Sequence, residues 1–164
     1  MVAALERLFA DPEDVVRFTV GRFRISPDAP AVVPGHAWFT IDFRHPDEAV
    51  LARLGDEVRP VCEAHAGPCD VAVIETSRSR PVPFTSDVPD LVEAASRRLG
   101  LSSMRMISGA GHDAMRLAAV CPSGMVFVPC ERGVSHNETE NARPEDLAAG
   151  ASILLEVLIE LANR

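Results

Sequence analysis

Two stretches of alternating apolar and polar residues, Val15 to Ile25 and Ala37 to Arg44, constrain the fold of this 164-residue chain more than any other feature. In the first, Val16, Phe18 and Val20 alternate with Arg17, Thr19 and Gly21, and then Phe23 and Ile25 with Arg22 and Arg24. In the second, Trp38, Thr40, Asp42 and Arg44 share one face, with Phe39, Ile41 and Phe43 on the other. A period of two places successive side chains on opposite faces, so each stretch predicts a strand with one covered face. The Pro-rich connection Ser26 to Gly35 joins them. Upstream, Val2, Leu5, Leu8 and Phe9 predict a helix over residues 1 to 10, broken by Asp11-Pro12. Downstream, Pro46-Asp47-Glu48 opens a helix to about Ala64, with its acidic residues at the end the helix dipole favours. Val71, Val73 and Ile74 predict a third strand. The order helix, strand, strand, helix, strand is that of a split βαβ or ferredoxin-like unit without its first strand.

The second half alternates helix and strand signals. Arg78 to Ser86, with Pro81 and Pro83, reads as a linker, giving expected domains at 1–78 and 79–164. Ser86 or Asp87 is the expected cap of a helix carrying Leu91, Val92, Ala95 and Leu99 and stopped by Gly100. Met104 to Ile107 and Met125 to Val128 are strand candidates, and Asp113 to Val120 a helix. Arg143-Pro144-Glu145-Asp146 starts the last helix, whose Leu147, Ile153, Leu154, Val157, Leu158 and Leu161 are expected to face a core. The fold class is α/β, with an α+β first part and a second part built as a segment of a parallel or mixed sheet.

A formal charge of −8 and the absence of any lysine exclude a nucleic-acid binder, which must neutralise phosphates. No run of eighteen apolar residues occurs, and Met1 to Arg7 goes straight into a charged helical pattern, so a cytoplasmic location is the expectation. Cys62, Cys69, Cys121 and Cys130 are then expected as reduced thiols. Cys62, His65 and Cys69 form a C-x2-H-x3-C cluster, but structural zinc sites take four ligands in paired spacings and no fourth partner is visible. The plainer reading is a helix end stopped by Gly67-Pro68.

Two polar loops hold the candidate chemistry. Ser108-Gly109-Ala110-Gly111-His112-Asp113-Ala114 follows one apolar run, and Val134-Ser135-His136-Asn137-Glu138-Thr139-Glu140 lies beyond another. Each sets a histidine among small and acidic residues, where α/β enzymes tend to keep their reactive groups, and together they point to a hydrolytic site with a metal. Glycine-rich backbone permits close approach of a ligand, and a histidine there can donate to a developing oxyanion. Asp113 is read as its orienting partner or as a helix cap. A neutral imidazole at His136 suits a first-row divalent metal, with Ser135 or Asn137 available to orient the ring. Arg44 has the planar fork that captures a carboxylate bidentately, or else forms a surface salt bridge with Asp42 or Asp47.

These loops, taken with Val32-Val33-Pro34-Gly35 and Phe39-Thr40-Ile41-Asp42-Phe43-Arg44-His45-Pro46-Asp47, resemble the hydantoinase/carbamoylase branch of the M20 metallopeptidase-like amidohydrolases. That branch includes N-carbamoyl-L-amino acid hydrolases, allantoate amidohydrolases and β-ureidopropionases. The resemblance covers essentially the whole chain and matches the C-terminal portion of such an enzyme, a partial lid (dimerisation) domain followed by the end of the catalytic domain. It implies hydrolysis of a linear amide or carbamoyl C–N bond by metal-activated water. It implies that His136 is the last metal ligand of a site holding two divalent ions of Zn, Mn, Co or Ni. It implies that Arg44 binds the substrate carboxylate from the lid of a homodimer, and that Gly111 and His112 bind substrate. Asn137 and Glu140 would then support the metal ligand.

Two positions depart from the branch: Ala31 stands where an asparagine is usual, and Glu138 where a proline is usual. His65-Ala66-Gly67 looks like the branch's motif at the entry to the lid but lies at the end of the second helix instead. The family's Glu-Glu pair, which supplies the general base, does not occur, and the one His-x-Asp spelling, His45-Pro46-Asp47, lies in the stretch that resembles the lid rather than in a metal-ligand motif. The expectation is therefore that this chain alone is inactive. The alternative is a non-catalytic dimerisation or interaction module derived from the same family.

Overall fold

The two alternating stretches form an antiparallel ribbon, β1 (Arg17–Ser26) and β2 (His36–Arg44), in the computed structural model, which describes residues 1–164. Phe18 lies opposite Phe43, Val20 opposite Ile41 and Phe23 opposite Phe39. The register shifts between Val20 and Phe23, where the Arg22 N–H donates to Thr40 Oγ1 at 3.0 Å. A Cβ on Gly21 would stand 2.8 Å from that same oxygen, so the bulge takes glycine. The change of phase in the sequence, from Phe18 and Val20 to Phe23 and Ile25, is this bulge.

The apolar face of the ribbon is covered by α1 (Val2–Leu8) and α2 (Glu48–Ala64). Leu5, Phe9, Leu54, Val58 and Cys62 are buried at the centre, with Phe18, Phe39, Ile41 and Phe43 packed around them. Phe9 stacks on Phe18 at 4.4 Å between ring centroids and tilts against Phe43 at 4.7 Å. Full burial of a side chain of this size contributes roughly 1.5–3 kcal/mol. Asp47 caps α2, its carboxylate accepting the N–H of Ala49 at 2.7 Å and of Val50 at 3.4 Å. These elements belong to a first compact unit, Met1–Pro81.

The second unit, Val82–Arg164, is built on α3 (Asp87–Arg98) and α5 (Pro144–Ala162), with a single turn, α4 (Ala114–Leu117), between them. Leu91 and Ala95 of α3 meet Ile153 and Val157 of α5, with Val92, Leu101 and Val126 at the margin. Ser96 is fully buried and donates to the Leu101 carbonyl at 2.8 Å, which satisfies its hydroxyl. Arg98 of α3 reaches Glu156 and Glu160 of α5.

Several expectations need correction. The chain has a single two-stranded sheet, and Val71–Ile74, Met104–Ile107 and Met125–Val128 are not strands. A strand exists only beside a hydrogen-bonded neighbour, and none lies along these segments. Side chains hold them instead: Arg59 donates to the Val73 carbonyl at 2.7 Å, Arg105 pairs with Asp90 and Glu93 of α3, and Val126 packs on the α3–α5 core. Ser86 sits at the N-cap of α3 with helical backbone angles and no side-chain bond, and no side-chain cap is made. The helix expected over 113–120 is only Ala114–Leu117, continued as turns. On α5, Ile153 and Val157 are buried as expected, but Leu147, Leu154, Leu158 and Leu161 are exposed. The helix is apolar over more than one face, and α3 covers only one of them.

Candidate active site

Arg44 closes β2 in the first unit. Its Nε donates to Asp42 Oδ1 at 2.7 Å, and its Nη2 lies 3.4 Å from Oδ2. Residues two apart on a strand share a face, which is why the fork meets the carboxylate of its own strand. Both side chains are about half exposed, and exposed pairs of this kind stabilise by roughly 0–1 kcal/mol.

In the second unit, Ser108 to Asp113 forms a tight loop before α4. His112 is half-buried, and its Nε2 lies 2.7 Å from Ser108 Oγ. The Ala110 N–H donates to the same oxygen at 3.2 Å. The imidazole meets the Phe127 ring edge-on, with centroids 5.5 Å apart. The sequence assigned no role to Ser108; a serine four residues before a histidine is too common to stand out. Asp113, expected as the partner or cap, does neither: it occupies the N-cap of α4 in helical conformation without a side-chain bond. Gly111 has no positive φ, and a Cβ there would meet open space. Neither packing nor conformation requires glycine at this point, and what it leaves is bare backbone beside His112.

His136 lies on an exposed loop after a short 3-10 turn, Glu131–Gly133. Its φ is 56°, in the left-handed region that non-glycine residues seldom enter. Glu140 Oε2 accepts the His136 N–H at 2.9 Å, and the Glu140 N–H in turn donates to the Asn137 carbonyl at 2.9 Å. Asn137 Oδ1 accepts from both the N–H and the Oγ1 of Thr139, at 2.9 and 2.8 Å. Glu140 therefore supports His136 through its backbone, and Asn137 holds the loop rather than the ring. The other Glu140 oxygen lies 3.7 Å from Cys130 Sγ. Desolvation first, and then the Glu140 charge, push this thiol above its ordinary range.

The donors present fit one metal-ligand position and no more. No three His, Cys, Asp or Glu side chains gather anywhere in the chain. Cys62 is buried in the first core, Cys69 is exposed, and His65 Nδ1 lies 2.9 Å from the Val61 carbonyl of its own helix. No chemical step can be built through a metal on these residues alone. No helix is long and apolar enough to cross a membrane.

The model of one protein family, Peptidase family M20/M25/M40, matches residues 8–160. An N-carbamoyl-L-amino-acid amidohydrolase of Rhizobium meliloti is 39% identical over 148 residues, covering 88% of this chain and 35% of that protein. An allantoate amidohydrolase of Escherichia coli K12 is 35% identical over 153 residues, covering 91% of this chain and 37% of that protein. The crystal structure of a hydantoinase/carbamoylase family amidase from Burkholderia multivorans aligns with a TM-score of 0.86 at 39% identity, over 97% of this chain and 39% of that one. The chain thus spans little more than a third of the length of the curated relatives it matches.

Proposed function

This chain belongs to the M20/M25/M40 peptidase family, and from that premise we propose that it is part of a hydrolase that opens the carbamoyl C–N bond of an N-carbamoyl-L-amino acid or a related ureido acid. The observation that carries the reading is the Ser108–Asp113 loop, which holds a half-buried imidazole beside bare glycine backbone. In that site His112 donates to the carbonyl or ureide oxygen, and the Gly111 backbone lies against the substrate. Arg44, from the lid of a second copy in the homodimer, is the proposed ligand of the substrate carboxylate, which its planar fork suits. The carbamoyl-amino-acid and allantoate amidohydrolases among the relatives support this substrate class.

Enzymes of this family generally use divalent metals. His136 offers one imidazole to such an ion, whether Zn, Mn, Co or Ni, and Glu140 and Asn137 keep its loop in place. With one ligand and no converging carboxylates, the chain by itself does not hydrolyse. The first unit is the proposed homodimer contact. A second reading, a non-catalytic interaction module, is favoured by Ala31 standing where the branch carries asparagine.

Two measurements test this. The chain is incubated with N-carbamoyl-L-amino acids and added Mn2+, and the expected result is no turnover; metal-dependent ammonia release would overturn the shared-site reading. The same compounds and allantoate are titrated into histidine-labelled protein followed by NMR. A saturable shift of His112 with no shift of His65 is expected, and the absence of any His112 response would overturn the substrate class and favour the interaction module.

A further inference from the structure

We infer that Ser108 is a positioning residue that locks His112 in its Nδ1–H form, so that the ring offers a neutral N–H donor, and not a base, to whatever occupies the loop. A serine hydroxyl has one proton and two lone pairs. The Ala110 N–H takes one lone pair of Ser108 Oγ at 3.2 Å. His112 Nε2 lies 2.7 Å from the same oxygen. If Nε2 carried the ring proton, Oγ would accept twice and its own proton would need a third partner. No acceptor of the second unit takes it. If Oγ–H donates to Nε2, both groups are satisfied with the atoms in place. The proton of the neutral ring is then on Nδ1, because the bond at one ring nitrogen decides the state of the other.

The surroundings keep the ring in that pose. The edge-on Phe127 ring restrains its rotation, and both His112 and Ser108 are half-buried. Asp113, whose carboxylate could compete for the Nδ1 proton, makes no bond to the imidazole. No acceptor of the second unit bonds Nδ1, which leaves it as an unspent donor on a loop with bare backbone at Gly111. A preset neutral donor of this kind suits a carbonyl or ureide oxygen that gains negative charge. That use rests on the function proposed above; the tautomer itself does not.

The test is long-range proton–nitrogen NMR on the chain labelled at histidine, in mildly alkaline buffer. The His112 signals are assigned by their loss in His112→Gln. The expected wild-type pattern is a protonated Nδ1 and an unprotonated Nε2. Ser108→Ala is expected to move the majority of the ring to the Nε2–H form, and Ser108→Thr, which keeps the hydroxyl, to restore the wild-type pattern. Circular dichroism verifies that each variant is folded. An Nε2–H ring in the wild-type protein overturns the inference, and so does a folded Ser108→Ala variant whose tautomer is unchanged. Should Ser108→Ala fail to fold, the wild-type and Ser108→Thr spectra decide. A wild-type Nδ1–H ring that no ureido acid perturbs counts against the functional reading only and leaves the role of Ser108 standing.

Discussion

The Glu140 carboxylate accepts the backbone N–H of His136 at 2.9 Å, at a residue held with φ at 56°. A non-glycine residue in the left-handed region costs about 1–3 kcal/mol unless its surroundings fix it. Glu140 supplies that fixing from four residues away. Glu140→Ala is therefore expected to loosen the His136 loop by roughly 1 kcal/mol, the usual net worth of a hydrogen bond. This corresponds to about fivefold faster amide exchange at His136, while Glu140→Gln, which keeps an acceptor, changes it little. Residue-resolved hydrogen exchange is the measurement, and an unchanged rate in Glu140→Ala would show that the loop holds itself.

An acid-sensitive step is expected in the first unit at Asp11. Its carboxylate accepts the N–H of Glu13 at 3.0 Å, Val15 at 2.8 Å and Val16 at 2.9 Å. The bond from Val16 is the largest cause, followed by those from Glu13 and Val15, and together they hold the carboxyl below its ordinary range. A group whose folded pKa is depressed contributes stability above its unfolded pKa and loses it as pH falls through the folded one. The loop is thus expected to keep its amide shifts at Val15 and Val16 down through the usual carboxylate range and to lose them only below it. In Asp11→Ala those shifts are altered already at neutral pH. A wild-type midpoint inside the ordinary range would refute the assignment.

The ribbon was legible in the sequence because alternation reports a local, one-sided burial, although the change of phase across Gly21-Arg22 was not read as the bulge it marks. The Asp47 cap was legible for the same reason, being a contact within one helix turn. The segments around Val73, Met106 and Phe127 were not, because pairing depends on a neighbour that local sequence does not name. The extent of α5 was readable, whereas its exposed Leu154 and Leu158 were not, since apolar periodicity does not say which face finds a partner. At the site, polar loops beyond apolar runs drew attention to His112 and His136. The bond from Ser108 and the backbone role of Glu140 are facts of loop geometry, and sequence reasoning placed Asp113 in the position Ser108 holds.

The four thiols are expected to alkylate in a fixed order. Cys69 and Cys121 are exposed, Cys130 is half-buried and Cys62 is buried. Desolvation is the largest cause raising both Cys62 and Cys130, and the Glu140 charge adds to the second. Because the thiolate is the reactive form, Cys69 and Cys121 should modify faster than Cys130, and Cys62 only after unfolding. The sign for Cys130 is that of a raised pKa, so its rate climbs only above the ordinary thiol range, and Glu140→Gln brings that climb to lower pH. Iodoacetamide labelling read by peptide mass spectrometry decides it. Modification of Cys62 as fast as Cys69 in folded protein would mean that the first core is not closed over it.

Gly150 tests how closely the Met125–Val128 segment approaches α5. The glycine is buried within the helix, and a Cβ there would stand 2.7 Å from Val128 Cγ1 and 4.0 Å from Val126 Cγ1. On helix propensity alone, Gly→Ala stabilises by about 1 kcal/mol. Against that, forcing a methyl into a filled contact costs typically 1–3 kcal/mol. The clash wins at this distance, because the β-branched Val128 has one favoured rotamer and little room to give. Gly150→Ala is therefore expected to destabilise the second unit by about 1 kcal/mol in urea titration. Val128→Ala removes the obstructing methyl and carries its own cavity cost, but in that background the Gly150→Ala change becomes neutral or stabilising. The coupling between the two sites is the quantity read, since neighbours in contact are non-additive by roughly 0.5–3 kcal/mol. A Gly150→Ala variant more stable than wild type, with no coupling to Val128, would mean that the segment stands farther from α5 than the 2.7 Å contact requires.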